Sequence, residues 1–273
     1  MKLISYHGRE IDTDKGPLIM GILNVTPDSF YAGSRVMGGV EEIARKMIDE
    51  GADILDIGGE STRPGAEPVD LEEEMRRVIP AIRIIRSFSE IPISIDTYKA
   101  QVAEEAIKEG ADIINDISGF EFDRKILDVA SRTPYVLMHI KGTPKDMQKN
   151  PTYEDVVGEL IEYFRKKVHT LKEKGVDQII LDPGIGFGKR FQDNIEILRN
   201  IRKFKMFGYP ILVGHSRKSF IGHILNEPDP GGRLFGTLGV TAYLTMMGVE
   251  IIRVHDVRPN LDVIKTVKTL SAS

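Results

Sequence analysis

Eight short apolar runs punctuate the chain, at 19–24, 54–60, 93–96, 113–116, 136–139, 179–182, from 212 onward, and at 251–256, and each ends in polar residues. They read as buried strands opening onto polar loops. Amphipathic stretches separate them at 40–50, 70–87, 99–109, 153–174, 194–205 and 258–270. Their apolar residues recur at helical spacing, as in Ile43, Met47 and Ile48, or Val157, Leu160, Ile161 and Phe164. Three of these stretches stop on a glycine just past the last turn, at Gly51, Gly110 and Gly175. Strands alternating with helices predict a parallel sheet. Eight strands point to a closed barrel, because an open doubly wound sheet has about five to seven. The phrases Glu50-Gly51-Ala52-Asp53-Ile54 and Glu109-Gly110-Ala111-Asp112-Ile113 nearly repeat, with a looser version at 174–179, as units of one barrel would. The first strand carries no GxGxxG turn, which removes the main support for a dinucleotide-binding sheet. The expectation is an α/β chain folded as a TIM (β/α)8 barrel, one domain over 1–273, with 1–16 forming a hairpin that covers the barrel bottom.

Composition narrows the chemistry. With 41% hydrophobic and 29% charged residues in 273, the chain is of the ordinary globular type, and no apolar run approaches the length of a membrane span. Residues 1–16 are polar and lack the apolar centre of a secretory signal. The absence of cysteine excludes disulfides, thiolate zinc sites and cysteine nucleophiles, and together these features lead to a cytoplasmic expectation. A net charge of -4 argues against a broad nucleic-acid surface. Any anion must be met in a local pocket.

In a barrel the C-terminal ends of the strands converge on one mouth. Asn24, Glu60, Thr62, Arg63, Asp96, Asn115, Asp116, His139, Asp182, His215, Lys218, Arg253 and His255 would ring it. Arg63, Arg217, Lys218, Arg253 and His255 supply more positive charge than a neutral ligand needs, which suits a phosphate or pyrophosphate. Asp96 and Asp182 need donors to stay charged near the barrel centre, and with Asn115 they suit a planar ligand with a guanine-like edge. Asp116, followed by Ser118-Gly119, reads as a turn former. His7, His169 and His223 sit away from strand ends and read as surface or packing residues. Phe30 and Phe187 lie in glycine-bearing loops, where a stacking role and a core role are both open.

The motifs then become specific. Gly21-Ile22-Leu23-Asn24-Val25-Thr26-Pro27-Asp28-Ser29-Phe30 and Asp56-Ile57-Gly58-Gly59-Glu60-Ser61-Thr62-Arg63-Pro64-Gly65 resemble the two signatures of the dihydropteroate synthase family. Ser94-Ile95-Asp96-Thr97, Ile114-Asn115-Asp116, Leu137-Met138-His139, Asp182-Pro183-Gly184-Ile185-Gly186-Phe187-Gly188-Lys189, Ser216-Arg217-Lys218-Ser219 and Arg253-Val254-His255-Asp256 extend the likeness in family order to the C-terminus. The resemblance implies an enzyme that joins 6-hydroxymethyl-7,8-dihydropterin pyrophosphate to 4-aminobenzoate, giving 7,8-dihydropteroate and pyrophosphate for folate synthesis, with Mg2+ and as a homodimer. It places Asp96, Asn115, Asp182 and Lys218 on the pterin, Asn24 on the magnesium, and Arg253 and His255 on the diphosphate. Thr62 and Arg63 fall on the second loop, and Phe187 and Ser219 around the aminobenzoate. Arg253, His255, Lys218 and Asp96 form the implied catalytic set, and Arg253→Ala is expected to lower turnover far more than it destabilises the fold. One position departs from the family: Ala32 stands where many members have an aspartate, so Ala32→Asp is expected to raise turnover. Two other readings remain, a pterin-dependent methyltransferase and a non-catalytic pterin binder.

Overall fold

In the computed structural model, residues 1–25 and 34–271 are described. The chain opens with an antiparallel pair, β1 (Lys2–Ile4) and β2 (Glu10–Asp12). The barrel strands follow: β3 (Leu18–Asn24), β4 (Ile54–Gly58), β5 (Ile93–Asp96), β6 (Ile113–Asp116), β7 (Tyr135–Met138), β8 (Ile179–Asp182), β9 (Leu212–Gly214) and β10 (Ile251–Val254). All pairings among them are parallel, in the order β8-β7-β6-β5-β4-β3-β10-β9. The ring closes where Leu181 of β8 bridges to Ile211, with Leu181 N–H donating to Pro210 O at 2.9 Å. Eight parallel strands in a closed ring, alternating with helices, match the barrel predicted from the sequence.

The helices are α1 (Ser34–Asp49), α2 (Leu71–Arg86), α3 (Ala100–Lys108), α4 (Ile126–Ala130), α5 (Val156–Glu173), α6 (Phe191–Arg199), α7 (Ser219–Leu225), α8 (Leu234–Met246) and α9 (Val257–Ser271). Local chemistry sets their starts. Asp70 caps α2 by accepting from Glu73 N at 2.8 Å, and Asp155 caps α5 by accepting from Gly158 N at 3.0 Å. The helix expected at 194–205 begins earlier, where Asp193 accepts from Arg190 N at 2.8 Å, and it breaks after Arg199 into a tighter 3-10 segment, Ile201–Phe207. Three helices went unpredicted. α4 and α7 are too short to display a period, and α8, with sequence LFGTLGVTAYLTM, has no polar face to give one.

Strand parity divides the interior. Ile19, Leu23, Leu55, Ile57, Ile93, Ile95, Ile114, Leu137, Leu181, Val213 and Ile252 point outward into the large core shared with the helices. The other parity points into the barrel, and at the strand starts it supplies Leu18, Met20, Ile54, Ile113, Val136, Ile180, Leu212 and Ile251. These close the bottom together with Leu3 and Ile11 of the hairpin, which is further tied by the Gln178 amide to the Ile4 backbone at 2.6 and 2.8 Å. Each fully buried aliphatic side chain there contributes roughly 1.5–3 kcal/mol. The apolar plug leaves the upper half of the barrel free for polar side chains.

Candidate active site

One step up four of the strands, the inward parity turns polar. Above Ile54 stands Asp56, above Ile113 stands Asn115, above Ile180 stands Asp182 and above Ile251 stands Arg253. Parallel register lines Asn24, Gly58, Asp96 and Asn115 across four neighbouring strands. Gly58 has no side chain, and a Cβ there would sit 3.6 Å from Asn24 Oδ1 and 3.7 Å from Asp96 Oδ2. Asn24 and Asp96 therefore face each other across open space.

Arg253 is the electrostatic centre. Its Nε donates to Asp56 at 2.6 Å and its Nη2 to Asp96 at 2.7 Å, while the Asn115 amide donates to the two Asp56 oxygens at 3.4 and 3.2 Å. Burial works against the guanidinium charge, but Asp56 and Asp96 outweigh it and raise the Arg253 pKa. Burial raises the Asp96 carboxyl, with Arg253 opposing and Asp56 reinforcing. Asp182 is raised by burial too, against the pull of Lys218, and it accepts from Gly184 N at 2.7 Å. Burial pushes the Lys218 ammonium down to about 7 despite Asp182 and Asp96. Buried acids and bases whose pKa values are pushed toward one another cluster at functional sites.

The walls are as specific as the floor. Lys218 donates to Ile185 O and lies 4.4 Å from the centre of the Phe187 ring. Phe187 packs with Ile117, Met138 and Met147, an apolar side of the mouth suited to a flat ligand. The Phe187 loop is held by Lys189, whose buried amine donates to Phe187 O at 3.0 Å and His139 O at 3.2 Å and pairs with His139 Nδ1 at 3.0 Å. Gly184, at φ 68°, passes so close to strand β7 that a Cβ would lie 2.0 Å from His139 O, so only glycine fits.

At the rim, His255 pairs through Nδ1 with Ser216 Oγ at 2.9 Å, and its own N–H donates to the same oxygen at 3.2 Å. Burial lowers its pKa to about 4, and Arg253, Arg217 and Arg63 add to the depression. Arg63 and Thr62 sit in the loop after β4, and that loop is joined to the segment after β7 by Gly65 N to Pro144 O at 2.9 Å. Ser219 is exposed at the first residue of α7.

Several residues expected in the ring are placed elsewhere. Arg217 is not available to an anion: it adopts φ 56° and its guanidinium grips Asp256 through two bonds of 2.8 Å. His215 has the outward parity and lies buried beneath α8, with Nε2 on Thr241 Oγ1 at 2.8 Å. Asp116 is likewise outward and closes a turn by accepting from Ser118 N and Phe120 N, both at 2.8 Å, and from Tyr135 OH at 2.7 Å. His139 and Glu60 are buried in contacts of their own. The expectations for Phe30 and Ala32 lie outside the described residues. Asp56, absent from the expected set, is the contact that fixes Arg253. Its signal was there, since a carboxylate inside the apolar run Ile54-Leu55-Asp56-Ile57 demands a buried partner.

The donor set also bears on a metal. Among the described residues no group of three or more His, Asp or Glu side chains is arranged to hold one. Magnesium, however, keeps several waters and binds through substrate phosphates with few protein ligands. The Asn24 amide oxygen, which faces the Asp96 carboxylate across Gly58, is a hard oxygen donor of the kind such an ion takes.

The chain is similar to known proteins over nearly its whole length. The profile of pterin binding enzymes matches residues 20–255. A dihydropteroate synthase of Synechocystis is 47% identical over 265 residues, covering 95% of this chain and 92% of the relative. That of Escherichia coli K12 is 44% identical, covering 100% and 98%. The structure of Xanthomonas albilineans dihydropteroate synthase with 4-aminobenzoic acid superposes with a TM-score of 0.93 at 37% identity, covering 100% of this chain and 98% of that one.

Proposed function

The chain belongs to the dihydropteroate synthase family of pterin-binding enzymes and is a transferase of that activity, and we propose that the inward polar layer of the barrel carries the reaction. It condenses 6-hydroxymethyl-7,8-dihydropterin pyrophosphate with 4-aminobenzoate to give 7,8-dihydropteroate and pyrophosphate. The observation that carries the assignment of roles is the layer itself: Asp96, Asn115 and Asp182 stand beside Lys218 and Arg253 on an apolar floor.

In this reading Asp182 and Asn115 hold the amino-pyrimidine edge of the pterin, and Lys218 reaches its carbonyl and a ring nitrogen. Asp96 completes the pocket. The Phe187 ring and Ser219 bound the place of the aminobenzoate, with the α7 N-terminus offering N–H groups to its carboxylate. Thr62 and Arg63 close over it from the loop after β4. Arg253 as a cation, and His255 as a neutral hydrogen-bond donor rather than the cation expected from sequence, bind the diphosphate and stabilise the charge that builds on it as the carbon–oxygen bond breaks. The resulting carbocation is delocalised into the dihydropterin and is captured by the amine, so no protein nucleophile is required. Mg2+, held by Asn24 and phosphate oxygens, would supply further charge stabilisation at the leaving group.

Assembly and location follow as part of the same proposal. A homodimer through α7 and α8 is supported by Phe235, Met246 and Ile224, which are 82%, 59% and 55% exposed, and by an apolar groove of about 300 Å³ between Leu198, Phe220, Leu225 and Tyr243. A cytoplasmic location rests on the cysteine-free composition. No helix among the described residues is long and apolar enough to cross a membrane. The test of function is to incubate the purified protein with dihydropterin pyrophosphate, 4-aminobenzoate and magnesium, following dihydropteroate by mass and pyrophosphate together. Equimolar, magnesium-dependent appearance of both is expected. Pterin binding without either product would refute the assignment.

A further inference from the structure

A charged cluster under the loop after β4 plays no part in the chemistry above. Glu60 begins that loop with its side chain 6% exposed. Its Oε1 accepts from Tyr98 OH at 2.9 Å, and its Oε2 accepts from Lys99 Nζ at 2.6 Å and from the backbone N–H of Val69 at 3.0 Å. The bond to Val69 joins the two ends of the loop that carries Thr62 and Arg63. One carboxylate thus staples its base.

Lys99 is shared. It also pairs with Glu74 of α2, whose side chain is 1% exposed and whose Oε1 is buried without a hydrogen-bond partner. Two buried carboxylates compete for one ammonium. If Glu60 leaves, Glu74 keeps Lys99 neutralised, so the staple can open without stranding a buried cation. The rest of the loop is held by Arg77 Nη1 donating to Gly59 O at 2.7 Å at its base and by the Gly65–Pro144 backbone bond at its middle, while the Lys145–Glu67 pair is too exposed to add much.

We infer that Glu60 and Lys99 are positioning residues that hold the 61–69 loop, and with it Thr62 and Arg63, in the geometry that accepts the aminobenzoate. The inference rests on the reading of the reaction given above. It makes the pterin ring separable from the aminobenzoate, because the ring's pocket lies on the barrel interior and does not depend on the staple, whereas Arg63 also faces His255 at the diphosphate end.

The test compares Glu60→Gln, Lys99→Met and Lys99→Arg by hydrogen exchange of the 61–70 segment, affinity for 6-hydroxymethyl-7,8-dihydropterin without its diphosphate, and KM for 4-aminobenzoate. Faster exchange at the Val69 amide is expected in Glu60→Gln and Lys99→Met. KM for 4-aminobenzoate should rise about tenfold, equivalent to about 1.4 kcal/mol, with pterin affinity unchanged and Lys99→Arg restoring most of the loss. Unchanged loop exchange would overturn the staple. Faster exchange with an unchanged KM, or equal losses for both ligands, would overturn its positioning role. A wild-type protein that forms no dihydropteroate would instead sink the reading of the reaction, leaving the staple to be judged by exchange alone.

Discussion

Removing the Arg253 side chain should cost the fold as well as the chemistry, against the sequence-based expectation that Arg253→Ala would spare stability. The guanidinium sits between Asp56, which is fully buried, and Asp96, at 2.6 and 2.7 Å. Its loss leaves two carboxylates on neighbouring strands with no cation between them. Breaking a buried pair this way costs about 3–5 kcal/mol. The loss must also depend on pH. Without Arg253, Asp96 titrates even further above its unfolded value than it does in the wild type, where burial already raises it. An acid whose pKa is raised by folding holds more protons folded than unfolded within that window, so stability falls as pH rises through it, by up to about 1.4 kcal/mol per unit. Urea unfolding of Arg253→Ala and wild type at about pH 5 and about pH 7.5 measures both effects. The difference between the two proteins should be larger at the higher pH. Arg253→Lys, which keeps the charge but not both contacts, should unfold within about 1 kcal/mol of wild type while losing roughly tenfold to hundredfold in kcat/KM. A loss in Arg253→Ala below about 1 kcal/mol at both pH values would refute the bridge as a structural element.

Other consequences can be checked separately. Lys218 is charged below its depressed pKa of about 7, so kcat/KM should fall as pH rises through that value; Lys218→Met should lower kcat/KM and abolish that limb, and a wild-type profile flat from about pH 6 to 8 would contradict it. Asn24→Ala should raise the magnesium concentration needed for half-maximal turnover, whereas an unchanged requirement would remove Asn24 from the metal site. Phe235→Asp places a charge on the most exposed large apolar side chain of α8, and sedimentation should show monomer where the wild type is dimeric; a monomeric wild type ends the dimer proposal.

The barrel could be read from the chain because strands and helices carry different hydrophobic periods, and because three α-to-β junctions repeat one phrase, the third loosely. α8 escaped for the opposite reason. Its residues are apolar nearly all round, including Phe235 and Met246 on its exposed side, so no stripe distinguishes inside from outside. The Glu60–Lys99–Glu74 cluster escaped too, since it joins the end of β4, the segment before α3 and the first turns of α2. No local pattern connects those three places.

The site was read less completely than the fold, and strand parity explains where. A barrel strand is buried on both faces, so an unbroken apolar run does not tell which alternate residues look inward. His215 and Arg253 each follow such a run and were indistinguishable as sequence. In the fold Gly214 and Arg253 share the inward parity and pair in register, which turns His215 outward beneath α8. The adjacent pair Asn115 and Asp116 splits in the same way, the amide facing Asp56 in the pocket and the carboxylate closing a turn outside it. Asp56 breaks an apolar run from within. Its charge is tolerable only where a cation can reach it, and the cation comes from a strand almost two hundred residues later, at Arg253. Read as a demand for that partner, Asp56 fixes the inward parity of β4 and, through register, carries it along Gly58 to Asp96 and Asn115.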